Sequence, residues 1–274
     1  MSTGVVVQSE QGSPAGIDVE RPSAARIYDY QLGGSHNFAA DRQVAEQMAM
    51  LYPQVTQIAQ ANRAFLRRAV EHLVGAGVRQ FLDIGSGIPT VGHVHEIAQH
   101  TAPDARVVYV DIDPVAVAHS HEILAGNERT AAVQADVRDP ERIVTAPEVR
   151  ALLDFDQPVA VLVLALFHFI PDAQDPAAIL DALTAPLAPG SYLVMSHATE
   201  DEQGDTTQGR ELYKRSGIEL TLRSRPQVEA LFAGFDLVDP GVVWLPQWRP
   251  ESPGDLFCDS PASSAGYAGV GRKT

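Results

Sequence analysis

Three acidic residues carry most of the chemistry legible in this chain, each standing where an apolar run gives way to turn residues: Asp83, Asp111 and Asp136. Asp83 opens the turn Asp-Ile-Gly-Ser-Gly, in which Gly85 and Gly87, with Ser86 between them, let a ligand approach the backbone. Asp111 ends RVVYVD, a position from which a carboxylate accepts hydrogen bonds from both hydroxyls of a ribose. Asp136 ends AAVQAD and can take an exocyclic amine, with Ile112 and Val137 as apolar neighbours. Singly, each acid is also explained as a helix N-cap or a solvated loop acid. Together, at the ends of successive strands, they line one crevice.

The sign of the charge narrows the ligand. A pyrophosphate at such a turn calls for a neutral strand end and a third glycine, whereas here Asp83 precedes the turn and Thr90 stands at the third position. Acids there repel phosphate and attract a cation, and S-adenosyl-L-methionine brings an ammonium and a sulfonium and no phosphate. A nicotinamide dinucleotide is the alternative, because Asp111 follows the glycines at roughly the 20-residue spacing of a dehydrogenase acid. Arg63, beside Asn62, could form a fork on the methionine carboxylate. Methyl transfer to a protonated acceptor needs a base, and His168, His197 and His36 are the candidates. The glycine-rich segment 32–38 (LGGSHNF) reads as a lid over the cofactor, with Tyr28, His36, Asn37 and Phe38 as contacts. His93-x-His95 and His119-x-His121 fall in expected helices, where residues two apart do not share a face, so no metal site is expected.

These residues need a scaffold, and the periodicity supplies one. Short apolar runs over 80–84, 106–110, 131–135, 159–165 and 192–196 alternate with helical stretches over 90–99, 114–124, 140–153 and 176–187, three of which begin with proline. Five strand-helix repeats imply a parallel α/β sheet with right-handed crossovers. Residues 24–75 read as a helical cap, broken at Gly34 and Pro53, and 76–250 as the ligand-binding domain. The polar stretch 199–226 is a lid or surface insertion, and 235–245 (FDLVDPGVVWL) reads as a terminal antiparallel hairpin. Residues 1–23 read as a disordered leader, and the Pro-, Gly- and Ser-rich 251–274 as an irregular tail. Trp244 and Trp248 are expected in the core rather than in a substrate wall.

Composition sets the outer bounds. With 274 residues, 45% of them hydrophobic, the chain can bury a sizeable core. Twenty Lys and Arg against 35 Asp and Glu leave a net charge of -15, which disfavours nucleic acid and anionic lipid. The longest apolar run, 158–170, is too short for a membrane span, which takes about 20 residues. Cys258 is the only cysteine, so the chain reads as cytoplasmic and has no intramolecular disulfide. A homodimer is compatible with these features.

The chain resembles the class I S-adenosylmethionine-dependent methyltransferases, and within them the actinobacterial S-adenosyl methyltransferase family once classed as a domain of unknown function. The likeness spans about residues 24–250 and rests on ARIYDYQLGGSHNFAADR, ANRAFLRRAV, RQFLDIGSGIPT, VVYVDIDP, QADVRDP, LFHFIPD, GSYLVMSHAT and GFDLVDPGVV. The glycine turn is general to methyltransferases, while the first of these segments and HFIPD are peculiar to the family. The resemblance implies a Rossmann-like, seven-stranded, mostly parallel sheet ending antiparallel. It also implies that Asp83, Gly85 and Gly87 hold the methionine end of the cofactor, Asp111 the ribose and Asp136 the adenine. The expected activity is methyl transfer to oxygen or nitrogen of a small molecule, of the kind made in secondary metabolism. A non-catalytic S-adenosylmethionine-binding or regulatory protein and an NAD-dependent oxidoreductase stand as alternatives.

Overall fold

The computed structural model describes residues 18–88 and 92–274. Most of the expected leader, and Pro89 and Thr90 of the glycine turn, lie outside the described residues. Three helices come first: α1 (Ala24–Gln31), α2 (Ala39–Leu51) and α3 (Val55–Gly75). Gly34 separates the first two, because a Cβ there would collide with the Asp29 carboxylate. The α2 N-terminus is fastened by Asp41, whose Oδ2 accepts from the Phe38 amide at 2.8 Å and from Arg26 Nε at 2.9 Å. Arg26 also reaches Asp113 at 3.4 Å, so a buried ion network bolts the cap to the body.

The body alternates as its periodicity requires: β1 (Gln80–Ile84), α4 (Val94–Thr101), β2 (Arg106–Asp111), α5 (Pro114–Ile123), β3 (Thr130–Gln134), α6 (Pro140–Val144), α7 (Pro147–Leu152), β4 (Ala160–Leu164), α8 (Pro176–Thr184) and β5 (Tyr192–Ala198). The single helix expected over 140–153 is two. Pro147 has no amide proton to continue the first helix and starts a second. After β5 come α9 (Thr207–Arg215), α10 (Arg225–Ala230), β6 (Phe235–Leu237), β7 (Val243–Trp244) and β8 (Gly266–Lys273).

The sheet order is β3-β2-β1-β4-β5-β8-β6, with β7 also on β8, and β1 to β5 are mutually parallel. Alternation divides the core between two faces. Leu82, Val108, Val161 and Leu193 pack on one side, with Ile143, Leu180 and Phe232. Phe81, Val107, Leu162 and Val194 pack on the other, against Phe65, Leu66 and Leu73 of α3. The same period of two turns Asp83 and Ser196 toward the α3 face.

Two expectations at the C-terminus are corrected. Residues 235–245 do not form a hairpin: β6 and β7 each run antiparallel to β8 and so point the same way. Between Leu237↔Gly271 and Val243↔Ala268 the edge chain advances six residues while β8 advances three, so Asp239, Pro240 and Gly241 sit in a bulge. The eight strands therefore fill seven positions. Nor are residues 251–274 an irregular tail, since β8 lies inside the sheet, antiparallel to β5 over Tyr192↔Arg272 to Ala198↔Gly266. Its small residues suit that place: a Cβ on Gly269 or Gly271 would press into Phe232. Trp248 is fully buried, with its ring edge-on to Phe65 at 5.5 Å, as expected of a core residue. Trp244 stacks on Tyr267 at 4.3 Å. No helix among the described residues is long and apolar enough to cross a membrane.

Candidate active site

The parallel strands end at the switch between β1 and β4, where an open α/β sheet leaves a crevice. A cavity of about 910 Å³ opens there, near the top of the roughly 300–1,000 Å³ usual for small-molecule sites. It runs from the ends of β1, β2 and β3 across His168 and His197 to the space between the cap and α9.

The glycine turn forms its floor. Gly85 and Gly87 have φ of +68° and +67°, and the amides of Gly85 and Ser86 donate to Val110 O at 2.8 and 3.1 Å. A Cβ on Gly85 would meet Leu166 at 2.7 Å, whereas one on Gly87 would meet nothing within 4 Å, so the turn is packed beneath and open above. Asp111 ties it to β2: one oxygen accepts from the Gly87 amide at 2.8 Å and the other from Asp113 at 2.8 Å. Burial pushes the Asp111 carboxyl up to about 6, against the pull of those backbone hydrogen bonds. Burial likewise pushes Asp83 up to about 7, with Arg63 opposing.

Arg63 completes the cradle. It lines the cavity from α3, its guanidinium lies 5.7 Å from the centre of the Tyr28 ring, and its buried Nε has no hydrogen-bond partner. A buried guanidinium N–H without a partner is a place for a carboxylate oxygen. Ile112 is 54% exposed beside Asp111, an apolar face that a planar base would cover. Asp136 and Val137 also line the cavity, although Arg138 holds the Asp136 carboxylate, Nε donating to Oδ1 at 2.8 Å and Nη2 to Oδ2 at 2.5 Å. Open Gly87, Asp111, exposed Ile112 and unpaired Arg63 thus fit an adenosyl group that ends in an amino acid.

The three histidines part company. His168, in the turn after β4, accepts at Nδ1 from the Ala198 amide at 3.3 Å, which places its proton on Nε2, toward no protein partner among the described residues. Burial, helped by His197 and Arg223, holds it well below the usual histidine range, so it is neutral at pH 7. His197 has both nitrogens engaged: Nδ1 donates to Ala198 O at 2.7 Å, and Nε2 accepts from Arg223 Nη1 at 2.9 Å. Burial lowers it to about 4. His36 lies off the cavity, with its ring 3.9 Å from that of His119 on α5.

The glycine-rich segment is not placed over the cofactor cradle. Asp29 Oδ2 accepts from the His36 amide and from Asn37 Nδ2, both at 2.9 Å, and Arg42 Nη1 donates to Asn37 Oδ1 at 3.1 Å. Asn37 therefore staples the loop, and Phe38 packs on Ile88, Val115 and Ala116, so the segment acts as a buttress behind the glycine turn. Of its expected contacts, Tyr28 alone lines the cavity.

Ser196 and Arg223 carried no sequence signal, and Asn62, expected at the methionine carboxylate, is engaged within the protein. Ser196 Oγ donates to Asn62 Oδ1 at 2.6 Å, and Asn62 Nδ2 donates to Tyr28 Oη at 2.9 Å, a chain joining β5, α3 and α1 across the cavity. Arg223, 3% exposed, donates to Phe167 O at 2.9 Å, Ile170 O at 2.8 Å and Asp172 Oδ1 at 2.6 Å, fixing the turn that carries His168. It comes from the polar 199–226 stretch, whose α9 roofs the cavity.

The chain is similar to known proteins of one family. A family model described as S-adenosyl methyltransferase matches residues 10–274. A crystal structure of a Thermobifida fusca protein assigned by name to the methyltransferases superposes with a TM-score of 0.89 at 41% identity, covering 95% of this chain and 98% of that one. A DUF574 family protein from Streptomyces avermitilis superposes at 0.88 with 40% identity, covering 94% and 99%. A Mycobacterium tuberculosis protein named for S-adenosyl-L-methionine-dependent methyl transfer is 28% identical over 159 residues, 55% of this chain and 47% of its own length. The match thus spans about half the length of that curated relative.

Proposed function

The chain belongs to the S-adenosyl methyltransferase family, and from that premise we propose that it moves the methyl group of S-adenosyl-L-methionine to an oxygen or nitrogen of a small-molecule acceptor of secondary-metabolite type. One observation carries this reading: the acidic glycine cradle and His168 line the same cavity, which continues beyond the cradle to the cap and α9. A purely regulatory binder has no need of that second volume. The acidic balance of the chain also speaks against a nucleic-acid acceptor.

When bound, the cofactor supplies a methyl carbon already activated by its sulfonium. The chain's own residues then bind and align. Arg63 takes the amino-acid carboxylate, Asp83 faces the positive charge, Asp111 accepts from the ribose, and Ile112 and Val137 flank the base, with Asp136 at its amine edge. Orientation of this sort is worth up to about 7–11 kcal/mol of barrier in favourable cases. His168, neutral and with Nδ1 accepting from Ala198, presents its Nε2–H to the cleft as a donor that orients the acceptor atom, whose proton leaves to solvent once the methyl group is transferred. The cap and α9 wall the far end of the cleft.

The test is formation of S-adenosylhomocysteine by purified protein across a panel of small phenols, amines and carboxylic acids. Turnover that depends on an O–H or N–H acceptor supports the reading. Cofactor binding with no turnover on any class would favour the regulatory alternative.

A further inference from the structure

Arg63 meets a ring where a cation usually meets a carboxylate. It lines the cavity from α3, with its guanidinium 5.7 Å from the centre of the Tyr28 ring on α1. Its buried Nε has no hydrogen-bond partner, and among the described residues it forms no ion pair, although the charge of Asp83 acts on it through space. An aromatic face attracts a cation electrostatically and takes none of its N–H donors. A carboxylate in the same place would take two of them.

The ring itself is tied down from behind. Tyr28 Oη donates to Ala59 O at 3.1 Å and accepts from Asn62 Nδ2 at 2.9 Å. Asn62 Oδ1 accepts from Ser196 Oγ at 2.6 Å, and Ser196 Oγ accepts from the Ala165 amide at 2.9 Å. Each side chain in this series both gives and takes a hydrogen bond, and Asn62 and Ser196 are buried. The series runs from the residue after β4 through β5 and α3 to α1, so the sheet fixes a ring that belongs to the cap. Burial holds the Tyr28 phenol above its ordinary range, against Arg63, so it stays protonated and keeps its bond to Ala59.

We propose that Tyr28 is a positioning residue for the cofactor's carboxylate: its ring face holds the Arg63 guanidinium in place with the N–H groups left for the ligand. The inference rests on the reading of the cradle as an adenosyl site. It makes the cap a part of cofactor recognition, although the acids and glycines of the cradle all come from the ends of the sheet strands. Arg63 without the ring has Asp83 as its alternative company, and a guanidinium drawn there would spend its donors inside the protein.

Two ligands isolate the carboxylate: S-adenosylhomocysteine and its decarboxylated analogue, which keeps the adenosine, the thioether and the ammonium. Calorimetry on the full chain reads the ratio of their affinities. Wild type should bind the first at least about tenfold more tightly, as expected of hydrogen bonds between charged groups. In Tyr28→Leu, or in Tyr28→Met should the first variant fold poorly, the ratio should fall below about threefold while the analogue's affinity stays within about twofold of wild type. Arg63→Met should bring the ratio equally low, and adding it to the Tyr28 variant should lower it no further, as for two residues that act as one unit. A wild-type ratio near one, a ratio that survives either substitution, an equal loss for both ligands in the Tyr28 variant, or a further loss in the double variant would overturn the proposal and leave the cofactor reading standing. Wild type that binds neither ligand would overturn the cofactor reading, and the proposal with it.

Discussion

Arg223 donates from Nη1 to Nε2 of His197 at 2.9 Å, and because a guanidinium has no acceptor, that nitrogen must carry a lone pair. His197 is therefore held neutral, with its proton on Nδ1 facing Ala198 O. The relationship makes His197 a strut and leaves His168 as the histidine whose second nitrogen is free for chemistry. The same arginine, from the α9–α10 connection, also holds the base of the His168 turn: it donates to Ile170 O and, beside the Ile170 amide, to Phe167 O.

Removing Arg223 should loosen the turn. Arg223→Ala leaves buried acceptors unpaired, and a loss of about 2–3 kcal/mol is expected in urea unfolding. Arg223→Lys should recover part of the stability but not the forked contact. A variant as stable as wild type would show that the turn holds itself.

His168→Ala tests the orienting donor. Once an acceptor substrate is in hand, turnover should fall about 10- to 100-fold with S-adenosylhomocysteine affinity unchanged. Equal turnover would mean that the Nε2–H does not touch the acceptor.

Asp83 and Asp111 give the cradle a pH dependence whose sign follows from burial. Their folded-state carboxyls sit near 7 and 6, above the ordinary aspartate value. The unfolded chain therefore ionises first as pH rises from about 4, and these groups cost stability progressively up to about pH 7. A cationic ligand favours the ionised forms, so S-adenosylmethionine binding at pH 6 should release protons, and affinity should rise toward pH 8. Calorimetry in two buffers of different ionisation enthalpy reads this directly. Proton uptake at pH 6 would contradict it.

The C-terminal residues belong to the core, so damage there should be global. Trp248→Ala empties a fully buried site beside Phe65 and should cost about 3–5 kcal/mol. Unfolding monitored by circular dichroism should shift as one transition. A local loss confined to residues beyond 245 would revive the tail reading.

The strand and helix rhythm was legible because buried parallel strands read as short apolar runs between turn residues. Asp83, Asp111 and the glycines were legible from their positions at strand ends, and Arg63, singled out for the match of its fork to a carboxylate, lines the same cavity from α3. What escaped was set by tertiary partners. β8 (GYAGVGRK) has too few large apolar residues to look like a strand, since its glycines answer to Phe232 and not to any local period. Arg223 sits among polar residues with no periodic mark. The glycine-rich loop read as a lid because Gly, His and Asn are also what a lid uses; that Asp29 pins it to the cap is invisible until α1 and the loop are seen together.

The central claim is that the strand-end acids and Arg63 form an adenosyl cradle. Calorimetric titration with S-adenosylmethionine, S-adenosylhomocysteine and NAD, on wild type and Asp111→Ala, tests it most directly. The account predicts saturable binding of the first two and none of NAD, weakened by about 1–3 kcal/mol in the variant through loss of hydrogen bonds to a charged group. Well-folded protein that binds neither adenosyl ligand, or binds both equally well without Asp111, would contradict it.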